Sequence, residues 1–297
     1  MPETKPSALV IVVSYKSAFS VLDLLESLQR IDALSSVTVT IADNSCCSER
    51  LKTIEDTVRR FANVRVIALD ANQGYFGAAR LALDHYMNGQ QLPDWVVVCN
   101  HDVLIEDKDF FAKLIGTDPS AVGVIAPSIK TRPGGLEQNP FMRRRPGRLR
   151  WAKLQLVSSN YGIALVWDWL WRQKSRVKSW AALRKSVPQR QDRRVSVYAP
   201  HGSFLIFSRR FFECGGFLDG NLFLYGEEIS VAEMCRELRL PIIYDPWLQV
   251  IHTEHHSTGN VLSRFTYECQ RDSIRYLTSR YLVPSLKPAM PRGPDVS

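Results

Sequence analysis

The stretch Trp95–Glu106, WVVVCNHDVLIE, decides the fold. Its first part, Trp95–Cys99, is apolar without alternating polar residues, which is typical of a strand buried on both faces. Three polar residues, Asn100, His101 and Asp102, follow directly. Ligands bind at the carboxyl ends of buried strands in open α/β sheets. We therefore expect a site for a divalent cation and phosphates here, the alternative being a solvated turn.

Strands and helices alternate on both sides of this stretch. Predicted strands lie at Ala8–Val13, Val37–Ala42, Val64–Leu69, Gly123–Pro127, Ser196–Phe207, Ile242–Tyr244 and Leu248–Ile251. Helical spacing occurs at Val21–Ile31, Ser48–Phe61, Ala78–Met87, Val231–Leu240 and Val261–Leu282. Short links between alternating strands and helices predict an α/β fold, a mostly parallel central sheet flanked by helices.

Polar residues also follow the other early strands. Ser14 and Tyr15 end the first strand, Asp43 and Asn44 end the second, and 72–74 (Asn-Gln-Gly) enter a helix whose free N–H groups would favour an anion. A carboxylate such as Asp43 can hydrogen-bond a ribose or a base. Neither GxGxxG nor a Walker loop is present. The sequence thus predicts a nucleotide site outside the dehydrogenase and P-loop classes.

Charge is distributed unevenly along the 297 residues. The segment from Arg143 to Arg194 contains fifteen Lys or Arg and two acids, a net charge of +13, so the other residues carry −5 of the total of +8. No apolar run approaches the ~18 residues of a membrane-spanning helix. Six cysteines show no metal-ligand spacing, which favours reduced, mostly buried thiols and a cytoplasmic protein.

The basic segment is also rich in tryptophan. It holds five of the seven tryptophans, Trp151, Trp167, Trp169, Trp171 and Trp180. Trp beside Lys and Arg is typical of an element in the headgroup region of an anionic membrane. We therefore expect a peripheral protein bound at the inner face of the cell membrane through 143–194, the alternative being tryptophans packed inward. No nucleic-acid partner is expected, since no nucleic-acid motif is present.

The order of several motifs resembles one enzyme family. In chain order they are SYK at 14–16, ADNSC at 42–46, NQGYFGAAR at 72–80, VVVCNHDV at 96–103, HGSFLIFSRRFF at 201–212, GGFLDGNLFLYGEE at 215–228 and IHTEHHSTG at 251–259. Together these resemble the family 2 inverting glycosyltransferases of the GT-A fold, especially the bacterial rhamnosyltransferase-like branch. The resemblance covers nearly the whole chain.

The resemblance implies a domain organisation and an activity. Residues 1–285 would form one GT-A domain, with a nucleotide-binding half at about 7–128, a basic Trp-rich helical insertion at about 140–194 and an acceptor half at about 195–285. A Pro-rich tail would occupy 286–297. The activity would be inverting transfer of rhamnose or another hexose from a nucleoside-diphosphate sugar to a glycan or lipid-linked acceptor, in cell-surface polysaccharide synthesis.

The resemblance also implies roles for residues of this chain. The nucleotide-sugar would be bound by Ser14, Tyr15, Asp43, Asn72, Gly74, Asn100 and Arg271. The metal ligands would be Asp102 and His252, and the catalytic pair that supplies the base would be Glu227 and Glu228, with Glu228 favoured. Because Asn100 replaces the first acid of the family's DxD, Mg²⁺ or Mn²⁺ would be held weakly and depend on the donor's phosphates.

Other interpretations of these residues remain open. A sugar nucleotidyltransferase also uses such a sheet and a metal. It would need a Gly-rich basic loop after the first strand, and this sequence has no such loop there. A non-catalytic relative that binds nucleotide-sugars would not need the base. Glu227 and Glu228 are also compatible with a purely electrostatic role at a helix amino terminus.

Overall fold

The computed structural model describes residues 8–31, 34–182, 193–253 and 262–282, and of residues 34, 174–182 and 282 it describes the backbone. Three sequence predictions fall outside this part of the chain. They are the Pro-rich tail at 286–297, the surroundings of Trp180, and the start of the last predicted helix at Val261.

The described residues form nine strands, nine α-helices, a short 3₁₀ helix (Leu34–Ser36) and a π-helical turn (Thr278–Leu282). The strands are β1 (Ala8–Ser14), β2 (Val37–Asp43), β3 (Val64–Ala68), β4 (Trp95–Asn100), β5 (Val103–Leu104), β6 (Val124–Thr131), β7 (Val195–Val197), β8 (Phe204–Ser208) and β9 (Ile242–His252). The helices are α1 (Ala18–Leu28), α2 (Ser48–Val58), α3 (Gly74–Met87), α4 (Phe110–Ile115), α5 (Arg148–Ser159), α6 (Tyr161–Ala182), α7 (Arg209–Glu213), α8 (Glu227–Leu238) and α9 (Arg264–Leu277).

All nine strands belong to one sheet. Its order is β3-β2-β1-β4-β8-β6-β9-β5, with β7 paired to β9. The first four strands are parallel, as are β6 and β9, whereas β8 runs antiparallel to both of its neighbours. The predicted α/β class with a mostly parallel central sheet is therefore confirmed.

Helices cover both faces of the sheet because its central strands are apolar on both sides. In β1, Val10 and Val12 face a core that includes residues of α1, α2 and α4. The alternate residues Leu9 and Ile11 face a second core that includes residues of α3, α7 and α8. The continuous apolar run of β4 divides between the two cores in the same way.

The structure corrects several predicted boundaries. The two strands predicted at 242–244 and 248–251 are one strand, β9, because its pairing with β6 continues past a register shift at Pro127/Ser128. Helix α8 begins at Glu227, four residues before the predicted start, so the acidic pair lies in its first turn. Of the six free cysteines, Cys99 and Cys235 are buried, so the prediction of mostly buried thiols is wrong.

The basic segment contains α5 and α6. Trp151 of α5 is buried and packs with Leu222, Ile229 and Leu277, which join it to α8 and α9. Two tryptophans of α6 are more open, Trp169 with an exposed fraction of 59% and Trp171 with 61%. In the described part of the chain, every helix is too short or too polar to cross a membrane.

Candidate active site

Three predicted site residues meet at one edge of the sheet. Ser14 pairs with Asp43 across the β1–β2 ladder, and Asn100 pairs with Val13 across the β1–β4 ladder. Because these strands are parallel, their carboxyl ends lie side by side. The local sequence runs therefore place Ser14, Asp43 and Asn100 together, as expected for a nucleotide site.

The turn after β1 shapes this edge. Ser14 and Asp43 are buried, whereas the Tyr15 side chain is 43% exposed. Lys16 adopts a positive φ of 58°, and its N–H donates to Ser45 Oγ at 2.8 Å. This contact ties the end of β1 to the residues after β2 and leaves the Tyr15 ring open at the rim.

Asn44 links the end of β2 to the start of α3. Its Nδ2 donates to Asn72 Oδ1 at 2.8 Å and to the Gly74 carbonyl at 3.1 Å. Its Oδ1 accepts the Gln73 N–H at 2.8 Å. Asn44 was not among the predicted site residues, although its position beside Asp43 at a strand end was a signal for it. These contacts hold Asn72 beside the sheet edge.

The start of α3 differs from the expected anion site. The Gln73 N–H is bound to Asn44, the Gly74 N–H donates to Asn72 Oδ1 at 3.0 Å, and the Tyr75 N–H donates to the Phe223 carbonyl at 3.1 Å. The N–H groups of Gln73 and Gly74 already have protein acceptors, so the expectation of free N–H groups is wrong for these two residues. Gly74 instead permits a close backbone contact. Its φ is 72°, and a Cβ there would lie 2.1 Å from the Phe223 oxygen.

Asp102 and His252 lie side by side as predicted. Asp102 Oδ1 is 3.3 Å from His252 Nε2. The backbone holds them together, because β5 pairs with the end of β9 and the Thr253 N–H donates to the Asp102 carbonyl at 2.9 Å. His252 Nδ1 lies 2.9 Å from Gln138 Oε1, which fixes the orientation of the imidazole. Gln138 was missed because no local pattern places it beside β9.

The charge state of Asp102 suits a cation. Burial acts to raise its pKa, but the His252 and His101 imidazoles outweigh burial and hold the pKa below its usual range. Asp102 Oδ1 is buried and, among the described residues, accepts no hydrogen bond within standard geometry. A carboxylate oxygen and an imidazole nitrogen are suitable ligands for Mn²⁺ or Mg²⁺. Within the described ranges, no cluster of three or more His, Cys, Asp or Glu forms a complete metal site.

The acidic pair lies at the start of α8, after a turn of left-handed residues. Tyr225 has φ 71° and Gly226 has φ 93°. Glu227 is 4% exposed, and its Oε1 has no hydrogen-bond partner among the described residues. Burial and the neighbouring Glu228 carboxylate raise the pKa of Glu227 to about 8. The structure therefore favours a proton on Glu227 at neutral pH.

Glu228 also has a raised pKa. Burial is the main cause, and the backbone N–H groups of Glu228, Gly202 and Gly226 partly offset it. The carboxylate fits against Gly202, where a Cβ would lie 2.8 Å from Glu228 Oε1. Glu228 is half-buried and so keeps access to solvent. Gly202 is a further residue of this candidate site that sequence reasoning missed, although it lies within the quoted HGSF motif.

Tyr75 connects the two ends of the site. Its hydroxyl donates to the Gly202 carbonyl at 2.9 Å, beside Glu228. Burial is the main cause that raises the pKa of Tyr75 well above 10, and charges on Cys99, Glu227, Glu228 and Asp102 act in the same direction. The metal-side carboxylate and the acidic pair therefore both lie within electrostatic reach of one hydroxyl group.

Arg271 lies on α9 and makes contacts on its own helix. Its Nε is 2.8 Å from Asp272 Oδ1, and its guanidinium lies 5.8 Å from the Tyr267 ring centroid. The Tyr267 hydroxyl donates to Ser158 of α5. These contacts place the Arg271 head group beside Tyr267 and Asp272 and do not join it to Ser14, Asp43 and Asn100.

The sheet order and this edge define a GT-A type sugar-transferase fold. A model described as "Glycosyltransferase like family 2" matches residues 6–269. The chain belongs to this family, which confirms the resemblance seen in the sequence.

One relative is similar in sequence over most of the chain. It is the N-acetylglucosaminyl-diphospho-decaprenol L-rhamnosyltransferase of Mycobacterium tuberculosis, found in strains CDC 1551 / Oshkosh and H37Rv. It is 28% identical over 232 residues, which cover 75% of this chain and 68% of the relative.

Solved structures share the fold at low sequence identity. TarS 1-349 of S. aureus superposes with a TM-score of 0.53 at 15% identity, and the match covers 84% of this chain and 60% of TarS 1-349. The mannosyltransferase PcManGT of Pyrobaculum calidifontis, solved with GDP-Man and Mn²⁺, superposes with a TM-score of 0.52 at 14% identity. That match covers 93% of this chain and 71% of PcManGT.

Proposed function

We propose that this chain is an inverting glycosyltransferase that moves a sugar from a nucleoside-diphosphate sugar to a hydroxyl group of a glycan or lipid-linked acceptor. The observation that carries the proposal is the match to the glycosyltransferase family, together with the Asp102–His252 pair and the Glu227–Glu228 pair in the first turn of α8. Transfer to a hydroxyl group needs charge stabilisation on the leaving diphosphate and a base for the acceptor proton. The site has candidates for both.

The donor is proposed to bind along the edge formed by β1, β2 and β4. Ser14, Tyr15 and Asp43 would bind the base and ribose, while Asn72, Gly74 and Asn100 would border the ribose and the diphosphate. Asp43 and Asn72 are held by the contacts around Asn44 and Ser45, which limits the ordering cost of donor binding. Arg271 is proposed to reach the donor only if its contact with Asp272 opens.

Asp102 and His252 would hold Mg²⁺ or Mn²⁺ together with the donor's phosphates. The Mn²⁺ in the PcManGT structure supports this assignment. When bound, the cation neutralises negative charge on the leaving diphosphate. Gln138 keeps the His252 ring oriented, and Thr253 holds the Asp102 backbone.

Glu228 is the proposed base. It is half-buried, and backbone N–H groups favour its carboxylate form. It would take the proton of the acceptor hydroxyl as that oxygen attacks the anomeric carbon opposite the leaving diphosphate, which inverts the configuration. Glu227 would retain its own proton and so avoid placing a second negative charge beside Glu228.

The sugar and acceptor are proposed from the sequence relative. Its name specifies L-rhamnose as the transferred sugar and a decaprenol-linked N-acetylglucosaminyl diphosphate as the acceptor. We propose a rhamnosyl or related hexosyl donor and a lipid-linked acceptor in cell-surface polysaccharide synthesis.

A lipid-linked acceptor requires access to a membrane surface, and α6 presents one candidate. Its residues Ile163, Val166, Trp167 and Leu170 follow the spacing of one helix face, and all four are exposed. We name this set, with Trp169 and Trp171, the α6 apolar face. Lys153 lies 3.9 Å from the Trp167 ring centroid, so cationic and aromatic groups are interleaved. We propose that this face binds anionic lipid headgroups at the inner side of the cell membrane.

Vesicle sedimentation tests the membrane proposal. Wild-type protein should sediment with phosphatidylglycerol-containing vesicles at low salt, less so at high salt, and poorly with neutral vesicles. Replacing Trp167, Trp169 and Trp171 by Ala should abolish sedimentation. Trp247→Ala, which removes an exposed tryptophan of β9, is the matched control and should sediment like wild type. A wild type that stays in solution with anionic vesicles would refute the proposal.

Turnover assays test the proposed chemistry. Purified protein with Mn²⁺ is incubated with nucleoside-diphosphate derivatives of rhamnose, mannose and N-acetylglucosamine, and nucleotide release is measured with and without acceptor. Glu228→Gln should lower transfer by about 10²–10⁴-fold while donor affinity changes little. Asp102→Ala should reduce both donor binding and metal dependence.

Each alternative has a different outcome in these assays. A pyrophosphate-dependent exchange of label into the nucleotide-sugar would indicate a sugar nucleotidyltransferase. Donor binding by wild type with no transfer to any acceptor, and no effect of Glu228→Gln, would indicate a non-catalytic relative. Loss of transfer in Glu227→Gln alone would exchange the roles of the two glutamates.

A further inference from the structure

A cleft separate from the Tyr75 site lies between α4 and β9. Its volume is about 640 Å³. We name it the α4–β9 cleft and define it by the residues that line it, Asp107, Ala112, Lys113, Gly116, Thr117, Arg194, Asp245, Trp247, Leu248 and Gln249. The proposed transfer reaction uses none of these residues.

The charges in the α4–β9 cleft are paired. Lys113 Nζ is 2.6 Å from Asp107 Oδ2, and an Arg194 nitrogen is 2.8 Å from Asp245 Oδ2. The Arg194 guanidinium is thus paired with the buried Asp245 carboxylate. Two cations and two carboxylates leave the lining without net charge, which disfavours a phosphate or a nucleotide. A neutral ligand with several hydroxyl groups suits such a lining, because paired ions still offer lone pairs and N–H groups.

An aromatic ring is held open in the same cleft. Trp247 is 52% exposed, although it lies within a strand. The backbone N–H of Trp247 donates to Asp245 Oδ1 at 3.0 Å, and the Arg194 guanidinium lies 5.3 Å from the centroid of the indole ring. A positioned indole offers a flat apolar surface beside polar groups. A pyranose has the matching surfaces, an apolar C–H face and equatorial hydroxyl groups.

We propose that the α4–β9 cleft binds a neutral sugar unit of a glycan, with the ring stacked on Trp247 and hydroxyl groups bound by Gln249, Thr117 and the paired ions. Each of the two walls of the cleft is close in sequence to one of the proposed metal ligands. Asp107 lies five residues after Asp102, and Trp247 lies five residues before His252, roughly 16 Å along an extended strand. Resting on the proposed function, the inference is that this unit belongs to the acceptor or product chain.

Sugar binding is measured on the full chain without donor or metal. The probes are methyl α-L-rhamnoside, methyl α-D-mannoside and tetra-N-acetylchitotetraose. Their binding is measured by saturation-transfer NMR at probe concentrations up to about 10 mM, which is enough to detect a dissociation constant of about 1 mM. At least one probe should bind, and Trp247→Ala should weaken it by about tenfold or more. Trp247→Phe should recover part of the binding, and Gln249→Ala should weaken it without removing the ring. Phe19→Ala, which removes an exposed aromatic ring of α1, is the matched control and should bind like wild type.

Several outcomes would overturn the proposal. They are absence of binding by all three probes, equal binding by wild type and Trp247→Ala, or a wild-type dimer that Trp247→Ala converts to a monomer, because the ring would then be a subunit contact. Sugar binding is measured without donor or metal, so it does not depend on turnover. Failure to find a transfer reaction therefore leaves the result for the cleft intact.

Discussion

The buried carboxyl of Glu227 should make the stability of the fold depend on pH. Its pKa rises from 4.5 to about 8 on folding, mainly through burial. The folded protein therefore binds this proton more tightly than the unfolded chain does. The associated stabilisation is fully present below about pH 4.5 and is lost as the pH rises to about 8. At about 1.4 kcal/mol for each pH unit, the full loss is roughly 5 kcal/mol.

Replacing Glu227 by Gln removes the titrating group and should remove this dependence. Urea unfolding at pH 5 to 8.5 and constant ionic strength, without donor or metal, gives the free energy of unfolding of each variant. The wild-type value should fall relative to that of Glu227→Gln by about 1.4 kcal/mol for each pH unit between about pH 5 and 8. Glu55→Gln, at an exposed position of α2, should keep the wild-type slope. Parallel curves for wild type and Glu227→Gln would refute the assignment of a raised pKa.

Glu228→Gln shows which carboxyl holds the proton. Removing the Glu228 charge should lower the pKa of Glu227, since that charge is one cause of its rise. The pH range over which the free energy of unfolding falls should then end below about pH 8, and the fall should still be measurable. If Glu228→Gln abolishes this fall and Glu227→Gln retains it, the proton belongs to Glu228 and the proposed base is wrong.

Three further substitutions test contacts that support the site. Gly74→Ala should lower the free energy of unfolding by well over 2 kcal/mol, because the new Cβ would overlap the Phe223 carbonyl oxygen. Gly135→Ala is the control, since Gly135 also has a positive φ but lies in open space, and it should lower the free energy of unfolding by about 1 kcal/mol. Gln138→Ala should weaken Mn²⁺ binding, measured by electron paramagnetic resonance, by about 10–100-fold. As the control, the free energy of unfolding of this variant should equal that of wild type. Arg145→Ala should destabilise the fold by about 1–2 kcal/mol in urea, because the buried Glu233 carboxylate loses a bidentate partner and keeps Tyr198 and Arg236; an unchanged midpoint would contradict this.

The parts of the fold that were predictable are those encoded by local runs. The apolar stretches that became β1 and β4 can only be buried, and the polar residues after them mark the strand ends. Register then follows from parallel pairing, which is why Ser14, Asp43 and Asn100 meet as predicted. Asp102 and His252 meet although 150 residues separate them, and this pairing was inferred from the family resemblance.

The missed features depend on contacts between distant segments. Gln138 lies beside His252 because β6 and β9 pair in the sheet. Gly202 lies beside Glu228 because β8, which follows it, belongs to the same sheet. The early start of α8 was missed because its first turn is acidic and lacks apolar spacing. The N–H group of Gln73 was expected to be free for the same reason, since its acceptor, Asn44, comes from the end of a different strand.

The turn before α8 shows how the fold holds the candidate base in place. Tyr225 lies in the left-handed region at a cost of about 1–2 kcal/mol, so neighbouring contacts must favour this conformation. Helix α9 supplies them, because Ser273 donates to the Leu224 carbonyl and Leu277 packs where a Cβ on Gly226 would lie. The same Leu277 packs with Trp151 of α5. Helices α5 and α9 thus support the turn before Glu228, so the segment proposed to bind the membrane and the candidate base belong to one packed unit.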